Sequence, residues 1–228
     1  MKKIAGLLLA AILLTPSISL SQWTDYGAWA SVSVNQKIAK KTYYNVDAAM
    51  RWDRDVTRLG STFLNADISR KISDLFDASA AIRLGASRTD EYLWEPQKRI
   101  AAIIKFKMDI VGDLSFSLRA QGQTGHKGAL TTDLDFSRAT RTKATLYYKL
   151  SKDWRFSISG ETFFRPVNST HQWSDTRGRI SARYKVSKRR YATFSYQLER
   201  PRIGTDPWTE HTIICNFAIE KKRRKTDN

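Results

Sequence analysis

The sequence predicts an all-β fold, an up-and-down antiparallel transmembrane β-barrel of about 10–12 strands. Three observations carry that expectation: an export-type N-terminus, a side-chain period of two through the rest of the chain, and connections that alternate between short and long.

Lys2 and Lys3 form a positive start, Ile4 to Leu14 an apolar run, and Thr15-Pro16-Ser17 a break. Ser19-Leu20-Ser21 supplies small residues before a cut ahead of Gln22. The apolar run is shorter than the ~20 residues of a spanning helix, which argues against an anchor. The expected division is a signal peptide over 1–21, a barrel domain over 22–220 and a basic tail over 221–228. Removing the peptide leaves about 207 residues, enough for one domain, and lowers the net charge from +17 to about +15. Cys215 is the single cysteine, so no intrachain disulfide can form. With only 5 Pro and 11 Gly, the composition is not that of a disordered secreted tail. Such a basic balance points to anionic lipid, acidic solutes or nucleic acid, and export removes the last.

Successive side chains of a strand face opposite sides of a sheet. Val46, Ala48, Met50 and Trp52 oppose Asp47, Arg51 and Asp53. Leu64, Ala66 and Ile68 oppose Asn65, Asp67 and Ser69, and Ala78 to Leu84 oppose Ser79 and Arg83. Ile100, Ala102, Ile104, Phe106, Met108 and Ile110 oppose Arg99, Lys105, Lys107 and Asp109. Leu114 to Ala120 then oppose Ser115, Ser117, Arg119 and Gln121 across a turn at Val111-Gly112-Asp113. Ala144 to Leu150 oppose Arg141, Lys143 and Lys149, and Trp154, Phe156 and Ile158 oppose Arg155, Ser157 and Glu161. Ile180 to Val186 oppose Arg177, Arg179, Arg183 and Lys185. The last segment sets Ile213, Cys215, Phe217 and Ile219 against Asn216 and Glu220. About eleven such segments are legible. Single-chain bacterial barrels normally have an even number, so the expectation spans ten to twelve.

Short connections are expected at Ala39-Lys40-Lys41, Ser73-Asp74, Val111-Gly112, Ser151-Lys152-Asp153 and Ser187-Lys188-Arg189. Longer ones are expected over Asp90 to Gln97, Gly125 to Ser137, Val167 to Asp175 and Arg202 to Thr209. The short Asp53 to Thr57 connection departs from that alternation. On the apolar faces, Tyr44, Tyr148, Trp154 and Tyr184 sit near the short turns, and Tyr26, Trp52 and Phe164 near the opposite ends. Two such bands match interfacial aromatic girdles. The rival is a water-soluble sandwich or lipocalin-like barrel whose apolar face points inward; periodicity alone does not separate the two.

The stretch Arg141 to Leu150 and the following Trp154 to Phe164, with Glu161-Thr162-Phe163-Phe164, resemble the family called domain of unknown function 2490. The pattern continues with Arg177-Gly178-Arg179, Tyr184 and the Gln197 to Arg200 strand end. Trp23, a strand ending near Lys37 and then Lys40-Lys41 fit its beginning. The resemblance implies an outer-membrane-type barrel, mostly of Gram-negative bacteria, with no assigned activity and no catalytic residues to carry over. The C-terminus departs from the barrel habit of ending on an aromatic residue: Phe217 and Ile219 are followed by the basic run from Lys221.

If the apolar face meets lipid, the polar face lines a lumen. The expected lining is Arg99, Lys105, Lys107, Arg119, Arg141, Lys143, Arg155, Glu161, Arg177, Arg179, Arg183 and Lys185. Fewer acids share it: Asp47, Asp53, Asp67, Glu161, Glu199 and Glu220. The surplus favours a wet, anion-attracting interior, while matched charges would make a plug. Antiparallel pairing across Val167 to Asp175 would set Glu161 opposite Arg179 to Arg183. Ser169, His171 and Asp175 share one expected loop, but closeness in sequence is not the geometry of a catalytic triad. No metal-ligand spacing, phosphate loop or dinucleotide fingerprint occurs, so no enzyme activity, cofactor or metal is expected. The expected partners are outer-membrane lipid, with anionic solutes or lipopolysaccharide. Three roles remain at this level: an anion channel or binder, a plugged structural or assembly barrel, and a membrane hydrolase.

Overall fold

Alternating polarity of this length suits strands that must be wet on one side and dry on the other, and strands are what form. The computed structural model describes residues 23–89, 91–127, 137–167, 170–201 and 208–221. The export segment, most of the basic tail and the Arg202 to Pro207 part of the last expected loop lie outside them. The strands are β1 (Trp23–Ala39), β2 (Thr42–Asp53), β3 (Arg58–Lys71), β4 (Phe76–Arg88), β5 (Trp94–Val111) and β6 (Leu114–Lys127). They continue with β7 (Ser137–Lys149), β8 (Trp154–Val167), β9 (Thr170–Ser187), β10 (Arg190–Pro201) and β11 (Trp208–Lys221). The shortest has 12 residues and the longest 18, all beyond the ~9–11 that cross a bilayer when tilted.

The eleven strands close into one barrel in chain order. Sequential neighbours are antiparallel, and β1 closes on β11 in parallel, in register from Trp23↔Trp208 to Gln36↔Lys221. The parity of the strand count dictates this seam. Direction reverses at every hairpin, so the first and eleventh strands point the same way. The expectation of purely antiparallel pairing is corrected at this one junction. Closure leaves no sheet edge with unpaired backbone groups, which a bilayer requires.

Which face points out decides between the membrane barrel and its soluble rival. The apolar face is outside: Ile104 is 60% exposed, and Ile100, Ile180, Leu146, Phe156, Phe194 and Ile213 are exposed with it. The deeply buried side chains are polar, with Gln197 at 1% and Thr212 at 0%. A soluble barrel has the opposite arrangement. Soluble monomers rarely leave so many large apolar side chains in water on one face. Phe106, expected on the lipid side, is on that face and half-covered, its ring 5.3 Å from Phe76 on β4.

The short turns fall where the sequence places them, and their chemistry is local. Ser73 Oγ accepts from the Leu75 and Phe76 amides, and Ser151 Oγ accepts from the Asp153 and Trp154 amides. Gly112 takes φ +53° in the Val111–Leu114 turn, where a side chain would be strained. At the Ser73-Asp74 turn, the Lys71 ammonium lies 2.9 Å from Asp74 and holds that carboxyl below its ordinary range. At this rim Trp154 packs against Tyr184 at 4.8 Å, as half of the expected girdle.

The opposite rim differs from expectation at two connections: Trp94 to Gln97, expected in a loop, pair with β4, and the connection after β8 is also shorter. Val167 to Asp175 is not a long loop: β8 and β9 continue pairing out to Val167↔Thr170. A bulge between Phe163 and Phe164 lets the strands extend, and the Phe164 and Trp173 rings stack at 5.6 Å beyond it. A polar run such as His171 to Asp175 reads as a loop locally, whereas cross-strand pairing makes it a strand. The Asp53 to Thr57 connection is short, as expected, with left-handed backbone at Arg54, Asp55 and Val56. It is docked on β1 through Val56 N–H to Tyr26 O at 3.0 Å.

Candidate lumen site

The inward faces enclose a cavity of about 1190 Å³. Eleven of the twelve expected residues line it: Arg99, Lys105, Lys107, Arg119, Arg141, Lys143, Arg155, Glu161, Arg177, Arg179 and Arg183. Lys185 continues the inward row of β9 towards the short-turn rim but is not part of the cavity wall. Fourteen Arg and Lys side chains and seven carboxylates line the wall, so the lumen carries a surplus of positive charge. Arg51, Arg83, Arg88, Arg165 and Glu210 belong to it and were absent from the expected set. Arg51 and Arg83 were legible, since the alternation sets both on the polar face; their segments are less densely basic than the fifth to ninth.

Part of the charge is neutralised. Glu161, only 6% exposed, lies 2.8 Å from Arg119 and 2.9 Å from Arg141, one carboxylate oxygen serving both guanidiniums. Arg177 meets Glu199 at 2.6 Å, Arg183 meets Glu220 at 3.2 Å and Arg165 meets Asp175 at 3.1 Å. Lys107 pairs with Asp77. The expected pairing of Glu161 with Arg179 and Arg183 is therefore corrected. Glu161 stands opposite Arg177, while Arg179 faces Ser159 and Arg183 faces Arg155. Pairing that continues out to Val167↔Thr170, with a bulge between Phe163 and Phe164, sets a register that brings Arg177 rather than Arg179 to Arg183 opposite Glu161. Arg179 instead donates to Gln197 Oε1, with its Nε at 3.2 Å.

The rest of the surplus is not neutralised. Among the described residues, no carboxylate lies within ion-pair distance of Arg51, Arg83, Arg99, Lys105, Lys143 or Arg179.

Aromatic rings on the otherwise polar face organise the arginines. Arg51 lies 3.9 Å over the Trp29 ring and 4.6 Å from Phe63, with Arg83 3.8 Å over Phe63. Across the barrel Arg141 and Arg177 lie 4.5 and 4.4 Å from Phe163. A guanidinium on a ring face gains cation–π attraction and is held flat. Trp29, Phe63 and Phe163 carried a sequence signal, an aromatic side chain in a polar register, that periodicity treats as noise. Gly85 makes room for one of them: a Cβ there would lie 2.3 Å from the Thr62 carbonyl oxygen and 2.6 Å from Phe63 Cβ.

The residues weighed for hydrolysis do not form a site among the described residues. Ser169 and the His171 side chain lie outside them, and Asp175 is engaged by Arg165 and by Ser174 Oγ at 2.8 Å. His211 lies on the outer face, stacked on Tyr26 at 5.4 Å and bonded to the Tyr196 hydroxyl. The inward wall thus offers positioned hydrogen-bond donors and positive charge, which suits holding or passing anions.

No curated protein matches the sequence. Among solved structures the fold is similar to one titled "NanC porin structure in rhombohedral crystal form", with a TM-score of 0.52 and 12% identity. That match covers 82% of this chain and 94% of the other, and at such low identity it shows a shared porin-like barrel fold. The family model for a protein of unknown function, DUF2490, matches residues 26–200, which span β1 to β10 apart from the first residues of β1 and the last of β10. With that match over most of its length, and with the barrel that the resemblance implied, the chain belongs to the DUF2490 family.

Proposed function

We propose that the protein is an outer-membrane barrel whose lumen admits or binds small anionic solutes. The observation that carries this reading is the set of lumen cations without carboxylate partners facing a cavity of about 1190 Å³. Several cations held around a low-dielectric lumen repel one another, and the repulsion is relieved by water and mobile anions. The apolar belt supplies the contact with outer-membrane lipid. The twofold excess of cationic over anionic side chains on the wall sets the sign of selectivity.

Two measurements test it. Cell fractionation recovers the protein with the outer membrane; recovery in the soluble periplasm without detergent contradicts the membrane placement. In planar bilayers under a potassium chloride gradient, purified protein conducts with a reversal potential on the chloride side. A potassium-side potential overturns the anionic reading.

A second reading, a plugged structural barrel, is favoured by the Arg119–Glu161–Arg141 bridge, which ties β6, β7 and β8 across the wall. Bilayers that stay silent at high protein loading, together with correct fractionation and no anion binding, favour the plug.

A further inference from the structure

The lumen uses one device twice, and the two copies differ in whether carboxylates meet the arginines. In the first, Arg141 and Arg177 flank Phe163, and both guanidiniums meet carboxylates, Glu161 and Glu199. In the second, Arg51 and Arg83 flank Phe63, with Trp29 directly opposite Arg51 on the neighbouring strand. Here no carboxylate of the described residues comes within ion-pair distance. Asp47, two inward positions along β2 from Arg51, does not reach either guanidinium. The polar contact of Arg83 is with the Asn65 amide oxygen at 3.3 Å.

A third cation sharpens the contrast. Arg83 on β4 stands directly opposite Arg99 on β5. Like charges directly opposed across a strand pair are destabilising. The Arg155 and Arg183 pair has the same opposition, but Glu220 engages Arg183. At Arg83 and Arg99 the described chain supplies no such relief.

We propose that Arg51 and Arg83, oriented by Trp29 and Phe63, form with the facing Arg99 a binding site for a multiply charged oxyanion inside the lumen. The ligand class is a solute bearing a phosphate group or two or more carboxylates. Ring contacts hold the Arg51 and Arg83 guanidiniums in place and leave N–H edges to meet a ligand, while Arg99 adds its charge from directly opposite Arg83. Those edges are the part that holds an oxyanion in a bidentate manner. The first copy shows what such forks hold in this protein, namely carboxylate oxygens at 2.6–2.9 Å. Three fixed cations exceed what a monovalent halide can neutralise, so charge matching favours a di- or trianion. The proposal rests on the reading of the lumen as anion-admitting and adds a defined site to it.

Isothermal titration calorimetry of the folded barrel in zwitterionic micelles tests this, with pyrophosphate and citrate as probes at constant chloride. Saturable binding of either probe is expected, and the one preferred distinguishes phosphoryl from carboxylate recognition. Arg51→Lys keeps the charge but lacks the flat fork, and is expected to weaken binding about tenfold or more. Should that variant not fold, Phe63→Leu removes the stack with no change of charge and is expected to weaken binding in the same direction. Lys152→Ala, in a turn outside the lumen, leaves binding unchanged. Absence of saturable binding overturns the site, as does binding that a folded Arg51→Lys or Phe63→Leu variant leaves unaltered, because diffuse charge would then suffice. Bilayer recordings separate the two claims: anion-selective conductance without binding removes this site and keeps the channel, and binding without conductance keeps the site.

Discussion

Replacing Glu161 with glutamine is expected to destabilise the folded barrel by about 2–3 kcal/mol. The carboxylate is almost wholly buried and serves two arginines on two neighbouring strands, at 2.8 and 2.9 Å. Removing one member of a buried pair typically costs ~3–5 kcal/mol, since the remaining charge keeps its desolvation without its partner. The value here is set lower because the Arg119 side chain is 30% exposed and water can reach it. Urea unfolding of the barrel folded into lipid vesicles measures the difference. A change within ~0.5 kcal/mol, the size expected of a neutral surface substitution, contradicts the bridge. The Glu161→Gln/Arg141→Gln double variant should recover part of the loss, because one stranded cation goes with its partner. Where the barrel conducts, Glu161→Gln also raises its anion preference.

Ile104→Arg is expected to cost about 2–4 kcal/mol and to reduce assembly into the membrane. Ile104 lies near the middle of β5, between Ala78 and Ala120 on its neighbours, and projects from the outer face. A guanidinium there enters the hydrocarbon without a partner. The comparator is an inward serine. Ser117 suits that purpose on alternation alone, but it is 3% exposed, and an arginine there would be overpacked against its neighbours. Ser79 lines the cavity one inward position along β4 from Asp77, so Ser79→Arg meets water and an acid. Heat-modifiable gel mobility of membrane fractions reports the folded share of each variant. Equal folding of Ile104→Arg and Ser79→Arg contradicts the assignment of faces.

Alternation proved legible because it is local. Ile100, Ile104 and Ile180 on one side, and Arg99, Lys105 and Arg179 on the other, follow from the two-residue period of an extended backbone. Turn chemistry was equally local: the serines at 73 and 151 and the glycine at 112 act on residues within three positions of themselves. Strand ends were less legible where polar residues pair instead of looping, as at His171 to Asp175.

The sequence by itself determined an all-β chain whose strands have one apolar and one basic face, because side-chain polarity at period two needs no knowledge of neighbours. Only the tertiary structure decided that the apolar face is outside and that an odd number of strands closes through a parallel β1–β11 seam. It also decided which cations are neutralised. Glu161 meets Arg119 and Arg141 instead of Arg179 and Arg183, and Phe63 gathers Arg51 and Arg83 from the strands on either side. The physical reason is register: ion pairs and ring stacks join residues on different strands, and a single bulge or a different turn length reassigns those partners.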